Sequence, residues 1–206
     1  RGPLVHFQKA PDYLQDNPFI RTGYRVDLTW KEVALSVFQL HNESMNIWTH
    51  GLGCIWFIWM ALQDYSVSSQ EMVQGPVVWW PMRTYHWGAV FCLGASAFCH
   101  SALSVSREVC KAVCFLDYIG VGIMILTSFF PAVYYIFMCR PTLLTFYLGS
   151  VSLLATIVVV CSSRPWFMHN GAAPIRAMLF SALGLAGTLP LTHAVFYHWN
   201  NPGIWL

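Results

Sequence analysis

Charge is what this chain has least of. Only 10% of its 206 residues are Asp, Glu, Lys or Arg, where soluble domains carry about 25%. So few charges cannot cover a water-facing surface, which excludes a soluble domain. Internal repeats, low-complexity tracts, phosphate-binding glycine loops and basic patches suited to nucleic acid are also missing, so no nucleic-acid partner is expected. Residues 1–28 lack the apolar core of a signal peptide. The seven cysteines form no disulfide framework. Cys54, Cys92, Cys99 and Cys161 lie in or at the ends of apolar runs. Cys110 and Cys114 fall on the reducing side of the topology derived below, and Cys139 alone lies near the outer surface. They read as buried thiols acting as small apolar residues. Cys110 and Cys114 lack the second pair that a metal site needs.

What is abundant is apolar sequence: 56% of the residues are hydrophobic. Five stretches, at about 46–62, 84–105, 116–138, 142–161 and 175–195, approach the roughly 20 residues that cross the hydrocarbon. The predicted fold is therefore an all-α integral membrane helical bundle. Pro131 and Pro190 fall inside spans, where neighbouring helices re-satisfy the freed carbonyls. Arg1, Lys9, Arg21, Arg25 and Lys31 precede the first span, Arg107 and Lys111 lie between the second and third, and Arg164 and Arg176 between the last two. Only Arg83 and Arg140 fall on the other side, so the positive-inside bias puts the N-terminus in the cytoplasm. Trp79, Trp80, Tyr134, Tyr135, Tyr197 and Trp199 sit where an outer aromatic belt belongs. The chain divides into a cytoplasmic tail (1–28) with an extended, proline-marked reading, an interfacial amphipathic helix (29–41) and a transmembrane bundle (42–206). Thr29-Trp30-Lys31-Glu32 has capping-box form, and the helix it starts lies along the inner interface.

The densest polar signal stands at the mouth of the first span. In Asn42-Glu43-Ser44-Met45-Asn46-Ile47-Trp48-Thr49-His50, Glu43, Asn46 and His50 share one helix face, with Asn42 and Thr49 beside them within about 120°. Met45, Trp48, Leu52 and Ile55 point away. A membrane helix that gathers polar groups on one side aims them at protein or water; a capping cluster at the interface is the plainer alternative. Ser96 and His100 share a face at the end of the second span, with Cys92 one turn earlier, and Asp117 opens the third. In the derived topology these groups lie at the depth of Glu43, Asn46 and His50. Singly, Asp117 reads as a helix cap and His100 as a hydrogen-bonded structural residue. Three helices bringing ionisable groups to one depth argue for a site. A catalytic zinc needs about three protein ligands and an open position, with a carboxylate nearby to take the proton of the bound water. His100 and Asp117 suit those roles, but further ligands are wanting. His193 and His198 lie about 30 Å away across the hydrocarbon, and His41, His50 and His169 form no ligand pair on one face.

Asn42-Glu43-x-x-Asn46-x-x-Thr49-His50, Ser96-x-x-x-His100, Leu116-Asp117-Tyr118-x-Gly120 and Pro190-x-x-His193, preceded by Asp16-Asn17-Pro18-Phe19-Ile20-x-x-Gly23-Tyr24-Arg25, resemble the progestin and adipoQ receptor family, which is related to haemolysin III and includes adiponectin receptors and plant heptahelical proteins. The resemblance covers nearly the whole chain in order. It implies seven spans with a cytoplasmic N-terminus, in agreement with the charge count. It also implies zinc near the cytoplasmic face, held by one histidine of the second span, matched by His100, and two of the seventh. Asp117 matches the acid that contacts zinc-bound water, and Ser96 matches the serine beside the metal. The seventh-span His-x-x-x-His has no counterpart, so the chain reads as five spans of seven, a piece that is inactive alone. The implied function is a multi-pass receptor that signals through zinc-dependent hydrolysis of a ceramide-like lipid amide. A receptor or scaffold without catalysis is the alternative. A transporter or channel ranks last, because no polar stripe continues through any span. Expected partners are the bilayer, an extracellular or lipid ligand that no motif names, and a cytoplasmic protein at the tail. The expected location is the plasma membrane or an endomembrane. Gly184 and Gly187 would allow close helix approach, between copies or within one bundle.

Overall fold

The computed structural model describes residues 4–71, 78–168 and 170–199. Among them the chain forms α1 (Trp30–Ser36), α2 (Ser44–Glu71), α3 (Trp80–Ala102), α4 (Arg107–Phe137), α5 (Pro141–Ser162), α6 (Ala173–Ala186) and α7 (Thr188–Trp199). The sole β pairing among these residues is an isolated antiparallel bridge between Val5 and Tyr24.

The helices start and stop for local reasons. Thr29 and Glu32 close the expected capping box, each side chain accepting from the other residue's backbone N–H. Ser106 caps α4 by accepting from the N–H of Val109, and α5 opens on Pro141. The first span is longer than its apolar core. It begins at Ser44 inside the polar cluster and runs 28 residues, about 42 Å at 1.5 Å per residue.

The fifth predicted span, 175–195, is not one straight helix. It breaks between α6 and α7 at Gly187. Pro190 has no N–H to offer the carbonyl one turn earlier, and the bare Gly187 admits the ring of Phe129 from α4. A Cβ on Gly187 would lie 1.7 Å from that ring, whereas Gly184 has open space. The Gly187 approach is thus packing within one bundle.

The tail also departs from its extended reading. It makes 3-10 turns at Phe7–Lys9 and Asp12–Leu14, and Ala10, Leu14 and Tyr24 form a small core joined by Leu103 from the end of α3. The segment carries enough Tyr, Leu and Phe to bury a face, and its prolines set turns as readily as extended chain.

By length and apolarity, α4, α5 and the stretch Ala173–Tyr197 can cross a membrane. Helices α2 and α3 have the length, 28 and 23 residues, but dilute their apolarity with His, Asn, Trp and Ser. Helices α2, α3 and α4 pack side by side. Gly53 of α2 faces Leu93 of α3, and Gly94 of α3 faces Cys54 of α2. On the other flank Cys99 faces Cys114, Gly120 faces Cys92 and Gly88 faces Thr127. A step back along α3 matches a step forward along α4, so the two run antiparallel.

Candidate functional site

One residue ahead of α2, a sharp connection stands Glu43 against α3. The N–H of Asn42 donates to the carbonyl of Gly23 at 3.0 Å, and Gly23 takes φ +89°, a left-handed conformation natural to glycine. The N–H of Glu43 donates to His41 Nδ1 at 3.1 Å. Thus placed, Glu43 Oε2 meets His100 Nδ1 at 2.7 Å across 57 residues of sequence. Asn42 donates to Oε1 and Asn46 to Oε2, both at 2.8 Å. Both oxygens of the carboxylate accept hydrogen bonds. With Glu43 ionised, His100 carries its proton on Nδ1, and Asn46 Nδ2, 3.4 Å from that nitrogen, is a second donor to the same oxygen. In a neutral imidazole, that tautomer leaves the lone pair on Nε2.

The electrostatics favour an ionised Glu43. Burial alone would raise the Glu43 carboxyl, but hydrogen bonds from His100 and Asn46, with the charges of His100 and Arg25, outweigh it and hold it below the usual carboxylate range. Burial, with Arg25 nearby, lowers His41 to about 4. Among the described residues, His41 Nε2 and His50 Nδ1 are buried without a hydrogen-bond partner.

The remaining sequence-predicted residues divide. His50 joins, its ring centroid 5.8 Å from that of His100. Ser96 is buried, 5% exposed. With Cys99 opposite Cys114 and Cys92 opposite Gly120, the antiparallel register sets Ser96 level with Asp117, about 6 Å along α3 from His100. Neither Ser96 nor Asp117 makes a side-chain hydrogen bond among the described residues. Thr49 does not join. It is exposed and bonds back to the carbonyl of Met45 at 2.7 Å, as threonine in a helix often does. His193 bonds Tyr147 at 2.7 Å and packs on Phe137, at the end of α4 that lies about 30 Å from Asp117. His169 lies outside the described residues, as does the side chain of His198.

Two features escaped sequence reading. Arg25 looked like one more tail cation. It is 5% exposed, its Nη1 donating to Ser36 Oγ at 2.5 Å and its Nη2 to the His100 carbonyl at 2.7 Å. At the far end of α2 and α3, Asp64 and His86 form a buried pair at 2.6 Å, ringed by Phe57 and Tyr85. Separations of 75 and 22 residues leave no local pattern to read.

As a metal centre, these residues supply one well-made ligand. A carboxylate on Nδ1 is the usual outer partner of a zinc-binding imidazole, fixing its tautomer and aiming Nε2 outward. The donor chemistry of His100 therefore fits zinc. No group of three His, Cys, Asp or Glu among the described residues converges to hold a metal by itself.

Comparison with known proteins agrees with the fold. A family model described as haemolysin-III related matches residues 38–205. Heptahelical transmembrane protein 1 of Arabidopsis thaliana is 34% identical over 98% of this chain. The adiponectin receptor protein of Drosophila melanogaster is 37% identical over 92%, and progestin and adipoQ receptor-like protein 1 of Caenorhabditis elegans 35% over 95%. The alignments take in 62%, 43% and 45% of those relatives' own lengths. The chain thus spans roughly half the length of curated relatives it matches. It is an all-α, multi-pass integral membrane protein, and it belongs to the haemolysin-III-related family of heptahelical proteins and adiponectin and progestin receptors.

Proposed function

We propose that this chain is part of a membrane receptor of the adiponectin-receptor type that signals through zinc-dependent hydrolysis of a ceramide-like lipid amide near the cytoplasmic face. The observation that carries the reading is the Glu43–His100 pair. Asn42 and Asn46 hold its carboxylate, and the pair sits within about one helical turn of Ser96 and Asp117. The names of the fly and worm relatives support a receptor. In this reading the chain crosses the bilayer five times from a cytoplasmic N-terminus, and the further ligands come from beyond the described residues.

Each residue has a defined part. His100 would hold the metal through Nε2, and Glu43, accepting from Nδ1, fixes the tautomer and aims that nitrogen. Zinc, when bound, polarises an amide carbonyl and lowers the pKa of its water to about 7. Asp117 takes the proton and returns it to the leaving amine. The Ser96 hydroxyl donates to the carbonyl oxygen as negative charge develops there.

A receptor or scaffold without catalysis is the second reading, favoured by the packing of the tail against the end of α3. A transporter is disfavoured. Between the Glu43–His100 and Asp64–His86 pairs, α2 and α3 meet through Gly53, Cys54, Leu93 and Gly94, so these contacts carry no polar stripe from one pair to the other.

The test uses the full-length protein purified in detergent. His100→Ala should abolish stoichiometric zinc. Asp117→Ala should keep zinc and lower ceramide turnover about 100-fold or more. Zinc that persists in His100→Ala sinks the site, while turnover that survives Asp117→Ala removes that residue and leaves the receptor standing.

A further inference from the structure

We propose that Arg25 is a positioning residue for His100, so that the N-terminal segment is a working part of the site. The proposal rests on the reading of His100 as a metal-bearing histidine.

Burying a guanidinium costs several kcal/mol unless its donors are met, and Arg25 is buried across most of its surface. Its Nε is buried without a hydrogen-bond partner among the described residues, and what meets the two terminal nitrogens is specific. His100 lies two residues before the end of α3, where the last helical bond runs from the Leu103 N–H to the Cys99 carbonyl. Its own carbonyl is among those that a helix end leaves unpaired, and Arg25 Nη2 takes it at 2.7 Å. Ser36 closes α1, its hydroxyl donating to the Val33 carbonyl, and it accepts from Arg25 Nη1 at 2.5 Å. One planar cation therefore bridges two helix C-termini, both carrying partial negative charge, within the field of Glu43.

The segment around Arg25 is stitched to the two helices whose ends carry the pair. Gly23 accepts from Asn42, next to Glu43, and the Leu28 N–H donates to the Ser104 carbonyl just past α3, each at 3.0 Å. A turn or slide of the last turn of α3 would carry the imidazole off the carboxylate, and Arg25 blocks it. Lysine keeps the charge but, as a compact ammonium, lacks the rigid fork that spans both acceptors. Burial lowers Arg25 to about 10, which leaves it cationic at neutral pH.

The experiment compares Arg25→Met, Arg25→Lys, Ser36→Ala and Arg107→Ala in the full-length protein. Arg107 ties Asp12 of the tail at an exposed ion pair and touches none of the site, so it controls for general tail attachment. Zinc affinity is read by chelator competition. The state of the imidazole is read from ring 15N shifts at fixed pH, with the His100 signal assigned by its loss in His100→Ala. Arg25→Met should weaken zinc about 10- to 100-fold and erase the signature of a carboxylate-bonded Nδ1. Arg25→Lys should recover less than half of that loss on a logarithmic scale, Ser36→Ala should lose less than Arg25→Met, and Arg107→Ala should match wild type. The proposal is overturned if Arg25→Lys behaves as wild type, since charge alone then suffices. It is equally overturned if Arg25→Met lowers thermal stability but leaves zinc affinity and the ring signature intact. Should Arg25→Met not fold, Arg25→Lys and Ser36→Ala decide by the same two readouts. Should zinc persist in His100→Ala, the metal reading fails by itself, and the ring signature alone decides the role of Arg25.

Discussion

A half-buried carboxylate with three hydrogen-bonding neighbours, His100, Asn46 and Asn42, is costly to alter one atom at a time. Glu43→Gln keeps the shape and removes the charge. It should weaken zinc binding about 10-fold without unfolding the protein, measured by chelator competition beside a thermal melt. His41 offers a pH test. Its ordinary value is 6.5, and in the fold burial first, then Arg25, lowers it to about 4, against smaller raising effects from the Ser36 backbone and Glu43. Above pH 6.5 it is neutral folded or unfolded and contributes nothing. Between about 6.5 and 4 the unfolded chain binds a proton that the folded chain refuses, so stability falls as the pH drops through that window. His41→Gln should flatten this slope in melts recorded from pH 7 to pH 4. An unchanged slope would show that other groups set it.

At the scale of elements, two close approaches and one buried pair hold the helices in register. Gly187→Ala would drive a methyl into the Phe129 ring, and Gly88→Ala into the Thr127 side chain, with 2.0 Å to its hydroxyl. Each should cost about 1–3 kcal/mol, read as a lowered melting temperature in detergent. Breaking the Asp64–His86 pair by Asp64→Leu should cost about 3 kcal/mol or more, because a fully buried imidazole loses its partner. Asp64→Leu with His86→Leu should recover much of that. Additive losses in that cycle would mean that the two side chains do not interact. The capping box of α1 was readable as a four-residue pattern, and so was the polar face of α2. The break at Gly187 was not, since it depends on a ring from α4 that meets a glycine 58 positions later in the chain.

For the whole molecule, the proposed topology makes a labelling prediction. Helix α4 starts at Arg107, beside Asp12 of the tail, and ends at Phe137, about 45 Å further on by helix rise. The exposed Cys139 follows. A membrane-impermeant maleimide should therefore label Cys139 on intact cells, while an N-terminal epitope should be reached only after permeabilisation. The reverse pattern would place Glu43, His100 and Asp117 on the outer side and end the proposed cytoplasmic chemistry.

Composition and periodicity alone determined that this is a helical membrane protein and which polar residues share a face, while the family came from the resemblance of its motifs and the similarity to known relatives. Those properties are carried within a turn or two of one helix, where 100° per residue places side chains with no knowledge of a neighbour. Only the tertiary structure decided which of those groups meet. It drew Glu43 onto His100, sent Thr49 back to its own backbone, folded the tail into a small core and buried Arg25 between two helix ends. Each of these contacts joins positions distant in sequence, or depends on which side of a helix finds a partner. Packing settles such matters, because an unpaired charge or carbonyl away from water costs more than the chain can leave uncompensated.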